Sequence, residues 1–165
     1  DALRSEGGKN MAPRQHMRKM KVGKITFNEA YKAVSEYRRK FPQKAVTFYA
    51  QNYPSMGWAV FMASGSCPVI PCKDKAFLKD AAVMEVEETN TDQYKKLVKS
   101  DTGNIIYSKS GTEIPIHLSS GKYVLKYIHP NSGEVNTINK SLKIKGLYTL
   151  KVPDKKEGIY WFHKL

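Results

Sequence analysis

From Tyr94 to the end of the chain, short stretches of alternating apolar and polar residues recur about every ten residues, as in antiparallel all-β folds. The clearest unit is a hairpin, in which a strand over 122–128 ends at Pro130 and is reversed by Gly133. Proline lacks the N–H of a central strand, and glycine tolerates the backbone of a tight turn. The predicted strands cover 94–98, 105–108, 112–117, 122–128, 136–144, 147–151 and 159–163.

The N-terminal half contains one clear helix signal, over 27–41. Thr26 and Glu29 have the spacing of a capping box, in which each side chain binds the backbone amide of the other. Apolar residues then recur on one helical face. A shorter helix is predicted over 75–84, and residues 1–24 are expected to form a tail with helical tendency.

The stretch between the two helices contains a compact apolar run. We predict a strand over 45–50, a turn over 51–57 and a partner strand over 58–63, followed by a loop to Cys72 and, over 85–93, a linker or edge segment. The predicted fold is mainly β with a helical N-terminal segment, an antiparallel β-sandwich. Residues 1–43 form a basic arm and an amphipathic helix, and residues 44–165 form the sandwich with a short helix near 75–84.

The net charge of +13 is uneven along the 165 residues. Residues 1–45 hold 12 Lys/Arg against 4 Asp/Glu, and the remaining 120 hold 16 against 11, so the first segment contributes +8 and the rest +5. Such a segment either binds nucleic acid or another polyanion, or is a solvated surface beside an acidic domain. The second interpretation is favoured because no nucleic-acid motif accompanies the charge. No run approaches the ~18 apolar residues of a membrane span.

Candidate chemistry is sparse. No pair of carboxylates has the setting that glycoside hydrolysis requires, so no catalytic residue is predicted. Cys67 and Cys72 lack the further ligands of a metal site, and two thiols are favoured over a disulfide. Three histidines, His117, His129 and His163, lie near strand ends, where they either converge or are unrelated. No cofactor motif is present.

Aromatic side chains on the last strands are the remaining candidates for a binding site. Tyr123, Tyr127 and His129 alternate along one strand, and Trp161 lies in the closing strand. Flat rings on a sheet surface can stack on sugars, and the same rings can fill a sandwich core. We predict ligand contact for these four residues as a group, but we expect Trp161 to be a core residue.

Two segments carry a resemblance to a known family. Residues 57–71 and 77–82 resemble a "WAxFMAGGSLPxIP…FLxxAA" junction that follows a (β/α)-barrel in glycoside hydrolases of gut Bacteroidetes. Residues 121–134 resemble the "GxYxVxWxDPxxG" hairpin of the C-terminal β-sandwich in such enzymes, and 158–165 resemble their last strand. His129 stands where the family has Asp, and Ser64 where it has Gly.

The resemblance implies an accessory module without catalytic residues of its own, because those lie upstream in such enzymes. It implies packing against a catalytic domain of a longer parent protein, a contribution to glycan binding, and a periplasmic or extracellular location. The chain starts at Asp1, so we expect a processed chain or a piece of a longer one. The alternative is a basic interaction module that binds nucleic acid or another polyanion.

Overall fold

The structure is a computed structural model that describes residues 25–48, 54–99, 103–109, 111–154 and 156–165. Three helices precede the described strands: α1 (Phe27–Lys40), α2 (Pro54–Met62) and α3 (Lys75–Ala81). The strands are β1 (Glu85–Glu87), β2 (Tyr94–Lys99), β3 (Gly103–Ser108), β4 (Glu113–His117), β5 (Gly121–Ile128), β6 (Val135–Ile144), β7 (Leu147–Lys151) and β8 (Gly158–Lys164). The prediction of a mainly β fold with a helical N-terminal part is confirmed.

The strands form two antiparallel sheets. The larger sheet has six strands in the order β1-β2-β3-β8-β5-β6, and the smaller sheet pairs β4 with β7. The closing strand β8 therefore lies in the middle of the large sheet, between β3 and β5. This position explains why its side chains are buried on both faces, since each face of the large sheet is covered at its centre.

Two hydrophobic cores lie on opposite faces of the large sheet. One core joins the helices to the sheet and contains Trp58, Phe77, Tyr107 and Trp161. The other fills the space between the two sheets, and its members include Ile106, Ile114, Ile116, Tyr123, Leu125, Leu150, Tyr160 and Phe162. The domain thus has three layers: helices, a six-stranded sheet and a two-stranded sheet.

The helix and strand predictions differ in outcome. All seven predicted strands from 94 onward form within two residues of their predicted ends, and the capping box of α1 is present, with the Glu29 amide donating to Thr26 Oγ1 at 3.3 Å. The strand predicted over 58–63 is wrong, because residues 58–62 lie in helix α2, and the turn predicted over 51–57 is wrong from Pro54 onward, where this helix begins. A short apolar run buried on all sides has no period that separates strand from helix.

The preceding segment also departs from the prediction. Residues 45–48 do not form a strand, although the Val46 carbonyl oxygen accepts a hydrogen bond from the Ser66 amide. Residues 49–50 and 51–53 lie outside the described ranges, as does the tail over 1–24. The boundary predicted between 1–43 and 44–165 stays a prediction, and α1 packs in the same core as α2 and the sheet.

The β5–β6 hairpin has the predicted turn. The His129 amide donates to the Glu134 carbonyl oxygen at 2.9 Å, and Gly133 has a φ of 72°, which favours glycine. Two irregularities interrupt the register of β6 opposite Tyr123–Lys126. β5 itself alternates regularly between the two faces of the sheet, so the face of each β6 residue that pairs with it is known.

Candidate functional site

Three of the four residues predicted to contact a ligand are buried. Tyr123 and Tyr127 belong to the core between the sheets, and Trp161, with no exposed surface, belongs to the core under the helices. The Tyr123 hydroxyl donates to the Ser119 carbonyl oxygen at 2.8 Å. The expectation that Trp161 is a core residue is confirmed. These three buried rings offer no exposed face to a sugar in this structure, and ligand contact at their positions stays a prediction.

His129 is exposed at the entrance to the β5–β6 turn. Its Nδ1 accepts hydrogen bonds from the backbone amides of Asn131 and Ser132, both at 3.3 Å. In this way the imidazole stabilises the reversal at the position where the resembled family has an aspartate, whose carboxylate is likewise an acceptor. The four predicted residues therefore do not form one exposed aromatic surface, and His129 has a local structural role.

A polar cluster joins helix α3 to strand β8. Asp80, buried in the helix layer, accepts from the Trp161 indole N–H at 3.0 Å and lies 2.7 Å from His163 Nδ1, both through Oδ2. An ionised carboxylate only accepts, so His163 donates from Nδ1 and, when neutral, presents an unprotonated Nε2. Lys126 Nζ lies 4.2 Å from the centre of the Trp161 ring, which satisfies the geometry of a cation–π contact.

The other two strand-end histidines do not join this cluster. His117 is exposed on β4, in the two-stranded sheet on the other side of the domain, and His129 is engaged in its own turn. Within the described ranges, no group of three or more His, Cys, Asp or Glu side chains has the geometry to bind a metal ion. Cys67 and Cys72 are both free thiols, the first exposed and the second buried.

A cleft of about 1180 Å³ lies at the β1 edge of the large sheet. It opens between α1, α3 and the strands β1 and β2. Lys95 is buried in its wall, where its Nζ donates to the Thr91 carbonyl oxygen at 2.7 Å and lies 4.8 Å from the centre of the Tyr31 ring. Burial lowers the pKa of Lys95, with Asp92 opposing the shift, and burial raises the pKa of Tyr31. Both side chains are thus favoured in their neutral forms by desolvation.

The rim of this cleft is apolar on the α3 side. Leu78 is 40% exposed and lines the cleft, Val83 is 49% exposed and lies between two lining residues, and Val69 is 73% exposed beside Pro68, which also lines it. Large exposed apolar side chains that share one surface feature are typical of contact sites. None of the helices in the described ranges is long and apolar enough to cross a membrane.

A protein-family model described as "Domain of unknown function (DUF6298)" matches residues 1–84, which is half of the chain. The chain belongs to the DUF6298 family. The matched segment contains all three described helices, including Asp80 and the apolar rim of the cleft. None of the curated proteins matches the chain.

Three solved structures are similar to parts of the chain. A structure named "Glycoside hydrolase" is 10% identical with a TM-score of 0.37, and the match covers 50% of this chain and 20% of that chain. A structure of CapF with the inhibitor 3-isopropenyl-tropolone is 12% identical, with a TM-score of 0.21 and coverages of 83% and 44%. The capsular polysaccharide assembling protein CapF from Staphylococcus aureus is 15% identical, with a TM-score of 0.15 and coverages of 81% and 50%.

In the first of these matches the chain spans about one fifth of the glycoside hydrolase's own length. TM-scores below 0.5 do not establish a shared fold.

Sequence reasoning missed Asp80 as the partner of Trp161 and His163. A weak signal was present, because Asp80 follows Phe77 by three residues and therefore shares its buried helical face. A carboxylate on the apolar face of a helix needs donors, since an unpaired buried charge is costly. The identity of those donors depends on a strand more than 80 residues away, which no local pattern shows.

Proposed function

We propose that the chain is a non-catalytic accessory β-sandwich module of a carbohydrate-active protein, that it packs against a neighbouring catalytic domain through its helix layer, and that it contributes to glycan binding. The resemblance of residues 57–71 and 121–134 to post-barrel segments of glycoside hydrolases supports this class. A parent protein of that class would act outside the cytoplasm, in the periplasm or the extracellular space.

The observation that carries the packing role is the set of exposed apolar residues Val69, Leu78 and Val83, of which Leu78 lines the cleft and the other two are next to lining residues in the sequence. Burying exposed apolar side chains against another domain contributes about 25 cal/mol for each Å² removed from water. Leu78 lies in α3, Val83 follows that helix and Val69 lies in the loop before it, and the resemblance connects this segment to a preceding barrel. The two-stranded sheet on the other face would then point away from the neighbouring domain.

The surroundings of Asp80 support a non-catalytic role. Among the described residues, Asp80 is the one acidic residue that is buried. It is hydrogen-bonded to an indole N–H and to an imidazole. Glycoside hydrolysis uses two carboxylates that face each other across the scissile bond. A carboxylate whose partners are the Trp161 and His163 donors instead stabilises the contact between α3 and β8.

The packing role is tested in the full-length product of the gene that encodes this chain. Leu78→Asp with Val83→Asp should lower the melting temperature of the neighbouring domain and increase its proteolytic cleavage, because charged side chains cannot be buried at the contact. The matched control is Ile138→Asp with Leu147→Asp, at residues that are 49% and 63% exposed on β6 and β7. Equal effects of the two pairs would contradict the proposed contact.

The non-catalytic role is tested on the purified chain of 165 residues. We expect no release of reducing sugar from a panel of neutral and acidic polysaccharides. Hydrolysis by the chain alone, lost on substitution of Asp80 or His163 and retained in Ile138→Asp, would refute the proposal and would assign a catalytic function to the cluster.

A further inference from the structure

The helix layer covers β5 and β6 beside their connecting turn, where Ile128 and Val135 pack into its core, and leaves Lys122 and Lys143 exposed at the other end of these strands. On β5, Tyr123, Leu125 and Tyr127 face the two-stranded sheet, so the alternating residues Lys122 and Lys126 face the helix side. The contact of Lys126 Nζ with the Trp161 ring confirms this direction. The exposed side chain of Lys122 and the partly exposed one of Lys126 therefore project from one open face of the sheet.

A third lysine occupies the same face directly opposite the first. Lys143 on β6 pairs with Lys122 on β5, while the neighbouring pair, Leu142 and Tyr123, packs into the core on the other side. Like charges directly opposite each other on neighbouring strands are destabilising. In the described parts of the chain, no ion pair includes Lys122, Lys126 or Lys143. We call these three residues the lysine face.

The spacing and surroundings of the lysine face fit an extended anion. Lys122 and Lys126 are four residues apart on one strand, which places their Cα atoms ~13 Å apart. His163 lies on the same face of the sheet. It belongs to the adjacent strand β8, where it pairs with Val124 of β5. The nearby carboxylate of Asp80 accepts from Trp161 and His163, and in the described residues no ion pair joins it to any of the three lysines.

We propose that the lysine face binds a polysaccharide that carries carboxylate or sulfate groups along its length. The opposed pair Lys122 and Lys143 would share one anionic group, and Lys126 would contact another farther along the strand. This inference rests on the proposed function, because it names the class of glycan that the module binds. The lysine face lies at the β5–β6 edge of the sheet. The cleft that is proposed to pack against a neighbouring domain lies at the opposite edge, beside β1 and β2.

The same face is a poor match for nucleic acid. Proteins that bind single strands combine a basic groove with aromatic side chains on which bases stack. The ring nearest to the lysine face, Trp161, is fully buried and covered by Lys126. A duplex is read by an element that enters a groove, whereas these lysines project from the flat face of a sheet. A polysaccharide with regularly spaced anionic groups requires neither feature.

The test uses the full chain and four probes: polygalacturonate as the carboxylated polymer, dextran sulfate as the sulfated polymer, dextran as the neutral control, and DNA oligonucleotides. Isothermal titration should show binding to at least one acidic polysaccharide and weakening with added salt, because bound counterions are released. Lys122→Gln with Lys143→Gln should weaken this binding about tenfold. The better of the two acidic probes distinguishes carboxylate from sulfate recognition.

The control pair is Lys40→Gln with Lys44→Gln, which removes the same charge at exposed residues at the end of α1 and just beyond it, away from the lysine face. We expect this pair to bind like wild type. Equal weakening by both pairs would show that only net charge matters and would overturn the proposal. Tighter binding of DNA than of both acidic polysaccharides would also overturn it.

Thermal stability separates a binding role from a structural one. The Lys122→Gln, Lys143→Gln variant should melt at the same temperature as wild type or higher, because the substitution removes an opposed like-charge pair. An acidic polysaccharide should raise the melting temperature of wild type more than that of the variant, which binds it more weakly. A lowered melting temperature together with unchanged binding would overturn the assignment. The packing test at Leu78 and Val83 is independent of these results.

Discussion

Replacing Trp161 with Ala removes the centre of the core between the helices and the sheet. The ring has no exposed surface and contacts the Phe77 ring edge-on, with 5.4 Å between centroids. Truncating a buried Trp costs about 3–5 kcal/mol, and leaving the buried Asp80 carboxylate without its indole donor adds about 1–3 kcal/mol. The sum is comparable to the whole stability of an ordinary domain, about 5–15 kcal/mol, so we expect this variant to be largely unfolded.

We expect the Trp161→Phe variant to remain folded, so its loss of stability can be measured directly. Phenylalanine retains much of the ring but cannot donate to Asp80, so the free energy of unfolding should fall by about 2–4 kcal/mol, part of it from the smaller ring. In urea, with a slope of about 1–3 kcal/mol/M, the midpoint should fall by about 1 M or more without a change of slope. Circular dichroism measures both quantities. Ile138→Ala, at an exposed position, should change stability by less than about 0.5 kcal/mol. An unchanged midpoint for Trp161→Phe would refute the role of the buried hydrogen bond.

Three further predictions concern local structure and pH. Thr26→Ala should lower the free energy of unfolding by about 1 kcal/mol in urea titrations because α1 loses its cap, while Thr47→Ala, outside any helix, should not, and equal effects would contradict the capping role. Gly133→Ala should cost more than Gly146→Ala by differential scanning calorimetry: both have positive φ, but only at Gly133 would the added Cβ meet backbone atoms, at 2.5 Å. Burial raises the pKa of Tyr160 to about 12, so the stability that its neutral form contributes is complete below about pH 10 and is lost as the pH rises toward 12. Urea titrations from pH 8 to 11.5 should therefore show a shallower alkaline loss in Tyr160→Phe, and identical losses would contradict this cause.

The strands of the C-terminal half could be predicted because their signal is local. In β4, for example, Ile114 and Ile116 are buried and their neighbours are exposed, so the period of two is visible in the sequence. The same holds for β5, where the chain reversal after Ile128 follows from proline and glycine chemistry alone. The pairing order of the strands is not local, and the central position of β8 was not predicted.

The prediction of a strand where α2 forms is wrong for the opposite reason, because the signal that decides its structure is not local. Residues from Trp58 to Met62 are buried almost completely, so the helix has no polar face and no helical period. This segment is packed as a helix between α1, α3 and the large sheet. The space that it fills exists only in the assembled fold. The side-chain contacts of Asp80 and the alignment of Lys122 with Lys143 likewise depend on tertiary pairing and on the register of two strands.

The contacts between the helix layer and the large sheet join distant parts of the chain. The Trp58 indole N–H donates to the Pro130 carbonyl oxygen across 72 residues, and Asp80 reaches Trp161 across 81. Contacts of such long sequence separation require loop closure before they stabilise anything, which slows folding. The DUF6298 segment therefore depends on later residues to cover its apolar helices. Within this chain the DUF6298 segment is synthesised before β8, so its apolar helices cannot complete the core that they share with Trp161 until that strand has been made.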